Sequence, residues 1–385
     1  MRREPSPPRP DAQQDFDEIG FAYAQIDGAP YWDESARYVF TLREIEDDIE
    51  APARELAAMS LELAGRIVAS DAMMDRLRVP AHARDLIAES WRRRDPSLYG
   101  RFDFAYDGKG PAKLLEYNAD TPTSLFESAV VQWRWLEQLV ARGALPADAD
   151  QFNSLHEKLV ARWAEVAGKT FVHIAAMSAS VEDFGTAAYL ADCAAQAGAA
   201  AALLDMSDIG LKDASFYDRD GRRIETLFKL YPWEWMFKDD FSHAAAMRFT
   251  RFLEPPWKAV LSNKGMLALL WEMAPGHPNL LECRFSDDLR AAALDDGYAE
   301  KPIYSREGAN VRLVREGREL ASTAGGYGEE GHVRQALHPP PCFDGRYPVI
   351  GAWIVGAEPA GMSLREDATP VTTDRARFVP HIIVG

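Results

Sequence analysis

Hydrophobic positions in this chain change their period as the sequence proceeds, and the changes mark its elements. Over residues 43–78 apolar residues recur at helical spacing, which predicts one or two amphipathic helices, and 82–94 repeats the pattern. Near residue 100 the period drops to two, the signature of a strand with two unlike faces. Arg101 and Asp103 share one face there and Phe102 and Phe104 the other, and a second run behaves alike, with Glu116 and Asn118 opposite Leu115 and Tyr117. Asp107-Gly108-Lys109-Gly110-Pro111 between the runs is a strong turn signal, so the two runs read as a hairpin. Helical spacing returns after Pro122-Thr123 and runs to about Arg142, with Ser124-x-x-Glu127 read as a capping box; a second box, Ser154-x-x-Glu157, opens a helix ending near Gly168. Thr170–Met177 then reads as a buried strand, Ser180 as the cap of a helix through Gln196, and Ala199–Asp205 as a further strand. Strand, helix and strand in that order imply a parallel pair joined by a right-handed crossover, and Glu225–Leu230 is expected in the same sheet. A helix over Asn263–Met273 and strands near 309–315, 331–337, 349–356 and 361–366 complete a mixed α+β and α/β chain.

The hairpin carries the first candidate chemistry. If its loop is of even length, one guanidinium (Arg101), two carboxylates (Asp103, Glu116) and one amide (Asn118) converge on one face, a set suited to a divalent cation and an anionic ligand. A loop of odd length puts the two pairs on opposite faces. A solvated hairpin face, with Arg101 paired to a carboxylate at the surface, is the competing reading.

Length and composition narrow the classes. A chain of 385 residues has room for two or three lobes, and 47% hydrophobic residues argue against disorder. The apolar runs fall short of the roughly 18 residues that span a bilayer. The opening stretch, MRREPSPPRPDAQQDFDE, has charge and proline but no apolar segment, so residues 1–15 are expected to be a flexible arm and no signal peptide. Three widely separated cysteines, Cys193, Cys283 and Cys342, fit a reducing, cytoplasmic compartment with no disulfide framework. A net charge of −17 argues against a general nucleic-acid surface.

Two nucleotide motifs fail on context. Gly168-Lys169-Thr170 resembles the end of a phosphate loop, but Trp163 stands where its first glycine belongs and a strand follows instead of a helix. Gly326-x-Gly328-x-x-Gly331 fits the dinucleotide pattern, yet His338-Pro339-Pro340-Pro341 leaves no room for the helix, and a turn is expected there. Lys264, at a helix start behind Ser262-Asn263, and Lys301, upstream of the glycine-containing loop Ser305–Asn310, suit phosphate better. Taken alone each lysine reads as a solvated side chain; their coincidence with the acidic hairpin and with Gly361-Met362-Ser363-Leu364-Arg365-Glu366-Asp367 gives them weight.

The ordered motifs RFDF, LLEYNADTPTS, VLSNKGMLALLW, KPIYSREGANV and PAGMSLRED, spread over roughly residues 16–385, resemble the synthetase domain of the glutathionylspermidine synthase family, and more closely its stand-alone bacterial acid–amine ligase relatives. The resemblance implies an ATP-grasp-like fold of the glutathionylspermidine synthetase and glutathione synthetase type, with an inserted α/β, pre-ATP-grasp-like lobe. It divides 16–385 into a substrate lobe over 150–250 and an ATP-binding part over 251–385. It implies an ADP-forming carboxylate–amine ligase that uses ATP and magnesium, joins a small-molecule or peptide carboxylate to an amine, and needs no nucleic acid or membrane. Carried over by position, Asp103, Glu116 and Asn118 would hold magnesium, and Arg101 would stabilise the acyl phosphate and tetrahedral intermediate. Lys264, Lys301, Gln335 and Arg365 would meet ATP, the last near the transferred phosphate, and Ser305, Gly308 and Asn310 would shape the closing loop. Thr121 and Thr123 stand where the synthase has serines beside its peptide, and Glu182 and Asp183 would meet the amine, helix capping being an equal reading for Asp183. The family's bifunctional members add an amino-terminal cysteine amidase, and that activity is not expected here. True glutathionylspermidine synthesis and a nucleotide-binding regulatory protein without ligation are the alternatives.

Overall fold

The computed structural model describes residues 1–26, 28–294 and 296–384, excepting the side chains of 292 and 293. Three large sheets position the candidate chemistry. The central one is antiparallel and five-stranded, in the order Arg377–Val379, Glu358–Asp367, Tyr347–Val355, Tyr99–Ala105, Lys113–Asn118. A four-stranded parallel sheet, Arg251–Leu253, Thr226–Leu230, Phe171–Ala176, Ala200–Asp205, flanks it. A second five-stranded antiparallel sheet is built from Cys283–Phe285, His332–Ala336, Gly297–Pro302, Arg312–Arg315 and Arg318–Ser322. Burial on both faces explains the near-continuous apolar reading of the parallel strands, such as Val172-His173-Ile174-Ala175-Ala176.

The long helix Ala51–Val68 buries Leu56, Ser60, Leu63, Ala64 and Ile67, one stripe at helical spacing, and is continuous with a π-helical turn over Glu44–Glu50. The helix Val181–Gln196 begins where its sequence says: Ser180 Oγ accepts from the Asp183 N–H at 3.2 Å. Neither expected capping box forms. Ser124 Oγ donates to Glu182, and Glu127 accepts from Tyr31, while Ser154 Oγ donates to the Ala360 carbonyl. Both serines stand at the starts of helical segments, but tertiary acceptors take their hydroxyls.

The amino-terminal segment is not a free arm. Arg2–Pro5 is a strand paired antiparallel with Ala36–Thr41, which in turn pairs parallel with His381–Val384. Arg3 grips Glu366 with two hydrogen bonds of 2.9 Å, and the buried Arg9 is held by Glu34 and Asp15. Composition alone reads the segment as solvated; Arg3 is matched instead to a carboxylate 363 residues away, and Arg9 to the buried carboxylates of Asp15 and Glu34. No helix among the described residues is long and apolar enough to cross a membrane.

Candidate functional site

The loop between the two hairpin strands runs from Tyr106 to Ala112, an odd number of residues, and by parity alone Asp103 would face Leu115. A β-bulge corrects this. Ala105 pairs with Lys113 and Phe104 with Leu114, the register then shifts, and Asp103 pairs with Glu116 and Arg101 with Asn118. Leu115 is the additional residue. All four polar groups therefore lie on one face, while Phe102 and Phe104 are fully buried on the other and Phe102 stacks on Tyr117 at 4.0 Å.

These groups are paired in depth. Arg101 grips Asp103 through Nε–Oδ1 (2.6 Å) and Nη2–Oδ2 (3.1 Å), and its Nη1 donates to the Thr123 carbonyl at 2.9 Å. Arg365 Nη2 reaches Asp103 Oδ2 at 2.7 Å from a different strand. Arg101 is 4% exposed, so the solvated surface pair is not what forms. Gly351, opposite Asp103 on the next strand, makes the room: a Cβ there would lie 2.7 Å from Arg101 Cδ. Asn118 Nδ2 bridges Glu116 Oε1 (3.0 Å) and Asp103 Oδ2 (3.2 Å), and Lys264 Nζ stands 3.1 Å from Glu116 Oε2. Burial pushes the Glu116 carboxyl up, but Lys264, Lys301 and Asn118 outweigh it and hold it well below the usual carboxylate range.

Lys264 immediately precedes the helix Gly265–Met273 and donates to the Ser305 carbonyl at 2.7 Å. Lys301 Nζ donates to the Leu115 carbonyl (2.9 Å) and to Gln335 Oε1 (2.7 Å), and Gln335 Nε2 donates to the Leu114 carbonyl at 2.9 Å. Burial lowers Lys301 to about 8 against the attraction of Glu116. Gly308 has φ +69°, and a Cβ there would meet the Thr372 carbonyl oxygen at 2.3 Å, so the loop needs glycine at that point. Ser305 lines the cleft with its buried hydroxyl unpartnered among the described residues. Asn310 is different: it lies outside the cleft lining and fastens the loop, accepting from the Tyr327 N–H (2.8 Å) and donating to the Gly325 carbonyl (3.0 Å).

The remaining wall is acidic. Asp183 lines the cleft and is pushed up to about 6 by burial and by neighbouring Glu182. Thr121 Oγ1 accepts from Arg306 Nη2 at 2.7 Å, and Thr123 also lines the cleft. Among the charged lining residues, Asp120, Glu234, Arg306 and Glu307 carried no individual role in the sequence reading. Burial raises Glu234 and Glu307, and Arg306 opposes the rise in both. Glu234 had a visible signal, an acid between Trp233 and Trp235.

Asp103, Glu116 and Asn118 form an all-oxygen donor set once the Asn118 amide presents its oxygen, and lie within hydrogen-bond reach of one another. Among the described residues no group of three or more His, Cys, Asp or Glu side chains comes together for a metal. Two carboxylates and an amide oxygen suit an ion that takes one or two carboxylates from protein and other ligands from phosphate and water, the habit of magnesium.

Known proteins resemble the chain along its length. A family model described as glutathionylspermidine synthase preATP-grasp matches residues 3–384. A Haemophilus influenzae protein provisionally named an acid–amine ligase is 42% identical, with 98% of each chain covered. The bifunctional glutathionylspermidine synthetase/amidase of Escherichia coli is 27% identical over 96% of this chain, which spans 62% of that protein. Trypanothione synthetase of Crithidia fasciculata is 28% identical over 81% of this chain, with 51% of the larger protein matched. Among solved structures, a glutathione synthetase-like effector from Globodera pallida superposes with a TM-score of 0.54 at 10% identity, covering 97% of this chain and 96% of the other, a likeness of fold.

Proposed function

Because the chain belongs to the glutathionylspermidine synthase family, we propose that it is an ATP-dependent ligase of ATP-grasp type that joins a carboxylate to an amine through an acyl phosphate. The observation that carries this reading is the meeting of Arg101 and Arg365 on buried Asp103, beside Glu116 and Lys264, in a cleft that the raised carboxyl of Asp183 also lines. A cleft with cations on one wall and a partly protonated acid on another suits phosphoryl transfer followed by attack of an amine.

A carboxylate resists an amine until one oxygen becomes a good leaving group. In the first step the substrate carboxylate oxygen bonds to the γ-phosphorus of ATP as the bond to ADP breaks. Catalysis of such a transfer is positioning and charge neutralisation. Lys264, Lys301 and the backbone of the loop 305–308 receive the phosphates, and apolar residues of the same lining, among them Leu115, Leu267, Ala299 and Leu313, suit a base. Asp103, Glu116 and Asn118 would hold magnesium, which supplies neutralisation of phosphate charge when bound. Arg101 and Arg365 stand where negative charge passes from phosphate to the tetrahedral oxyanion. In the second step Asp183, held near 6, takes one proton from the bound ammonium and so frees its lone pair; the nitrogen then bonds to the acyl carbon, the bond from that carbon to the phosphate oxygen breaks, and the nitrogen's remaining extra proton leaves with the phosphate. Glu182 and Glu234 attract the amine as its cation. Threonines at 121 and 123 direct the proposal to a peptide or amino-acid carboxylate.

The test is ADP formation measured over a matrix of carboxylates and amines, glutathione and spermidine included. Ligation requires ADP release that depends on both substrates and an amide product by mass. ADP release indifferent to amine throughout the matrix rejects it.

A further inference from the structure

The loop that carries Thr121 and Thr123 is held from the protein side at Asp120 and Pro122, beside the contacts of Thr121 with Arg306 and of Thr123 with Arg101. Asp120 Oδ1 accepts from Lys229 Nζ at 2.6 Å, and Oδ2 accepts from the Trp233 N–H at 2.8 Å. The Pro122 carbonyl accepts from the Tyr99 hydroxyl at 3.2 Å. Thr121 and Thr123, between and beyond these anchors, line the cleft. Asp120 is 1% exposed and Lys229 fully buried, with the ammonium 4.5 Å from the centre of the Trp233 ring. Lys229 belongs to the parallel-sheet strand Thr226–Leu230, and Trp233 opens the short helix Trp233–Met236 that brings Glu234 to the cleft. Trp233 Nε1 donates to the Glu254 carbonyl (3.2 Å), and the Glu254 carboxylate accepts from the N–H groups of Leu98 and Tyr99 (both 2.9 Å). The chain of contacts closes on the strand whose Tyr99 holds Pro122.

We propose that the buried Asp120–Lys229 pair positions the acid-binding loop against the amine wall: one carboxylate fixes the residue before Thr121 and, through the Trp233 N–H, the residue before Glu234, while the Tyr99 hydroxyl holds Pro122 before Thr123. The identity of those walls as acid and amine seats rests on the ligase reading; the mechanical linkage does not. A buried ion pair is poor at adding stability, since apolar replacement of both partners is often neutral. What this pair does that an apolar contact cannot is to set distance and direction between a loop, a strand and a helix start at once. The sequence hides it, because Asp120 and Lys229 are 109 residues apart and neither belongs to a charged cluster.

The experiment compares Lys229→Met and the double variant Asp120→Asn/Lys229→Met with the native protein. The double variant keeps an acceptor for the Trp233 N–H and leaves no buried charge alone, which protects folding where a single change fails. Hydrogen–deuterium exchange is followed on segments 119–124 and 231–237, with 347–355 as the internal control. Affinity for a non-hydrolysable ATP analogue and amine-dependent ADP formation, with glutathione and spermidine as probes, are measured on the same samples. Exchange in the two cleft segments should rise together by at least about tenfold while the control strand holds. Analogue affinity should stay within about threefold, and kcat should fall about tenfold or more from lost orientation. Unchanged exchange in both segments, or a uniform rise that includes the control, overturns the proposal. If the native protein forms no ADP with these probes, the substrate reading fails for them while the exchange result still decides the positioning role.

Discussion

Lys301 donates through Nζ to the carbonyl oxygen of Leu115 at 2.9 Å, which seats a cation of one sheet on the residue that breaks register in another. Gln335 supports it from the adjacent strand, holding Lys301 at 2.7 Å and the Leu114 carbonyl at 2.9 Å. The strands Gly297–Pro302 and His332–Ala336 and the acidic hairpin are thereby joined through the bulge itself, so removing this lysine reaches both.

Lys264→Ala and Lys301→Ala should each weaken binding of a non-hydrolysable ATP analogue by about 1.5–3 kcal/mol, the scale of one charge-assisted contact. They should differ in stability. Lys264 is partly exposed, whereas Lys301→Ala leaves Gln335 and the Leu115 carbonyl without a buried donor and should lower the melting temperature more. Calorimetric titration and thermal unfolding on both variants check this, and unchanged affinity in both would return the lysines to a purely structural role.

Arg101→Lys keeps the charge and loses the two-pronged grip on Asp103. Turnover should fall by about 10²-fold or more, the loss typical of one oxyanion-stabilising donor, while affinity for the ATP analogue changes little. Single-turnover phosphate release measures it. A lysine variant with native turnover would show the hairpin face to be scaffold.

Glu116→Gln preserves volume and removes the charge that Lys264 and Lys301 stabilise. ADP formation should drop by about 10²-fold or more, with the magnesium concentration for half-maximal activity raised in what remains. The fold should survive, because Glu116 borders the cleft and not the apolar core. Normal turnover at native magnesium demand in a folded variant rejects the metal assignment.

Glu127 supplies a pH dependence of stability. Burial, then repulsion from Glu182, raises its carboxyl to about 8 in the folded protein, with the Tyr31 hydroxyl at 2.6 Å opposing the rise. Between the ordinary value of 4.5 and about 8 the folded state holds a proton that the unfolded state has lost. The stabilisation is complete below the lower limit and is lost as pH rises through the upper one, by at most about 1.4 kcal/mol per pH unit. Glu127→Gln should therefore flatten the decline in unfolding free energy from pH 5 to 8, read by urea titration. An unaltered slope assigns the dependence to other groups.

The parts of fold and site legible in sequence are those fixed by neighbours a few residues away. Alternation placed Arg101 with Asp103 and Glu116 with Asn118, and the Ser180 cap and the strands of the parallel sheet follow local rules. The bulge was not legible, because Leu114-Leu115 offers no glycine to mark it; Lys301 and Gln335, more than 180 residues later, hold it open. Ser124 and Ser154 carried the right signal for caps, but Glu182 and Ala360 were competing acceptors that no local window contains. Asn310 fell in a loop with phosphate-binding character and serves that loop's own geometry, since its side chain is spent on Gly325 and Tyr327.

The central sheet also dictates an order of assembly. Arg101 and Asp103 pair edge to edge with Trp353 and Gly351, and Arg365 arrives only on the following strand. As the chain leaves the ribosome, the hairpin waits through more than two hundred residues before that neighbour exists, with one edge bare and two carboxylates lacking their distant cations. Contacts of such separation make folding slow and leave open edges exposed to aggregation. They also make this cluster a late product of synthesis: a nascent chain that already has Lys264, Lys301 and the loop 305–310 still lacks the Arg365 guanidinium that completes the grip on Asp103.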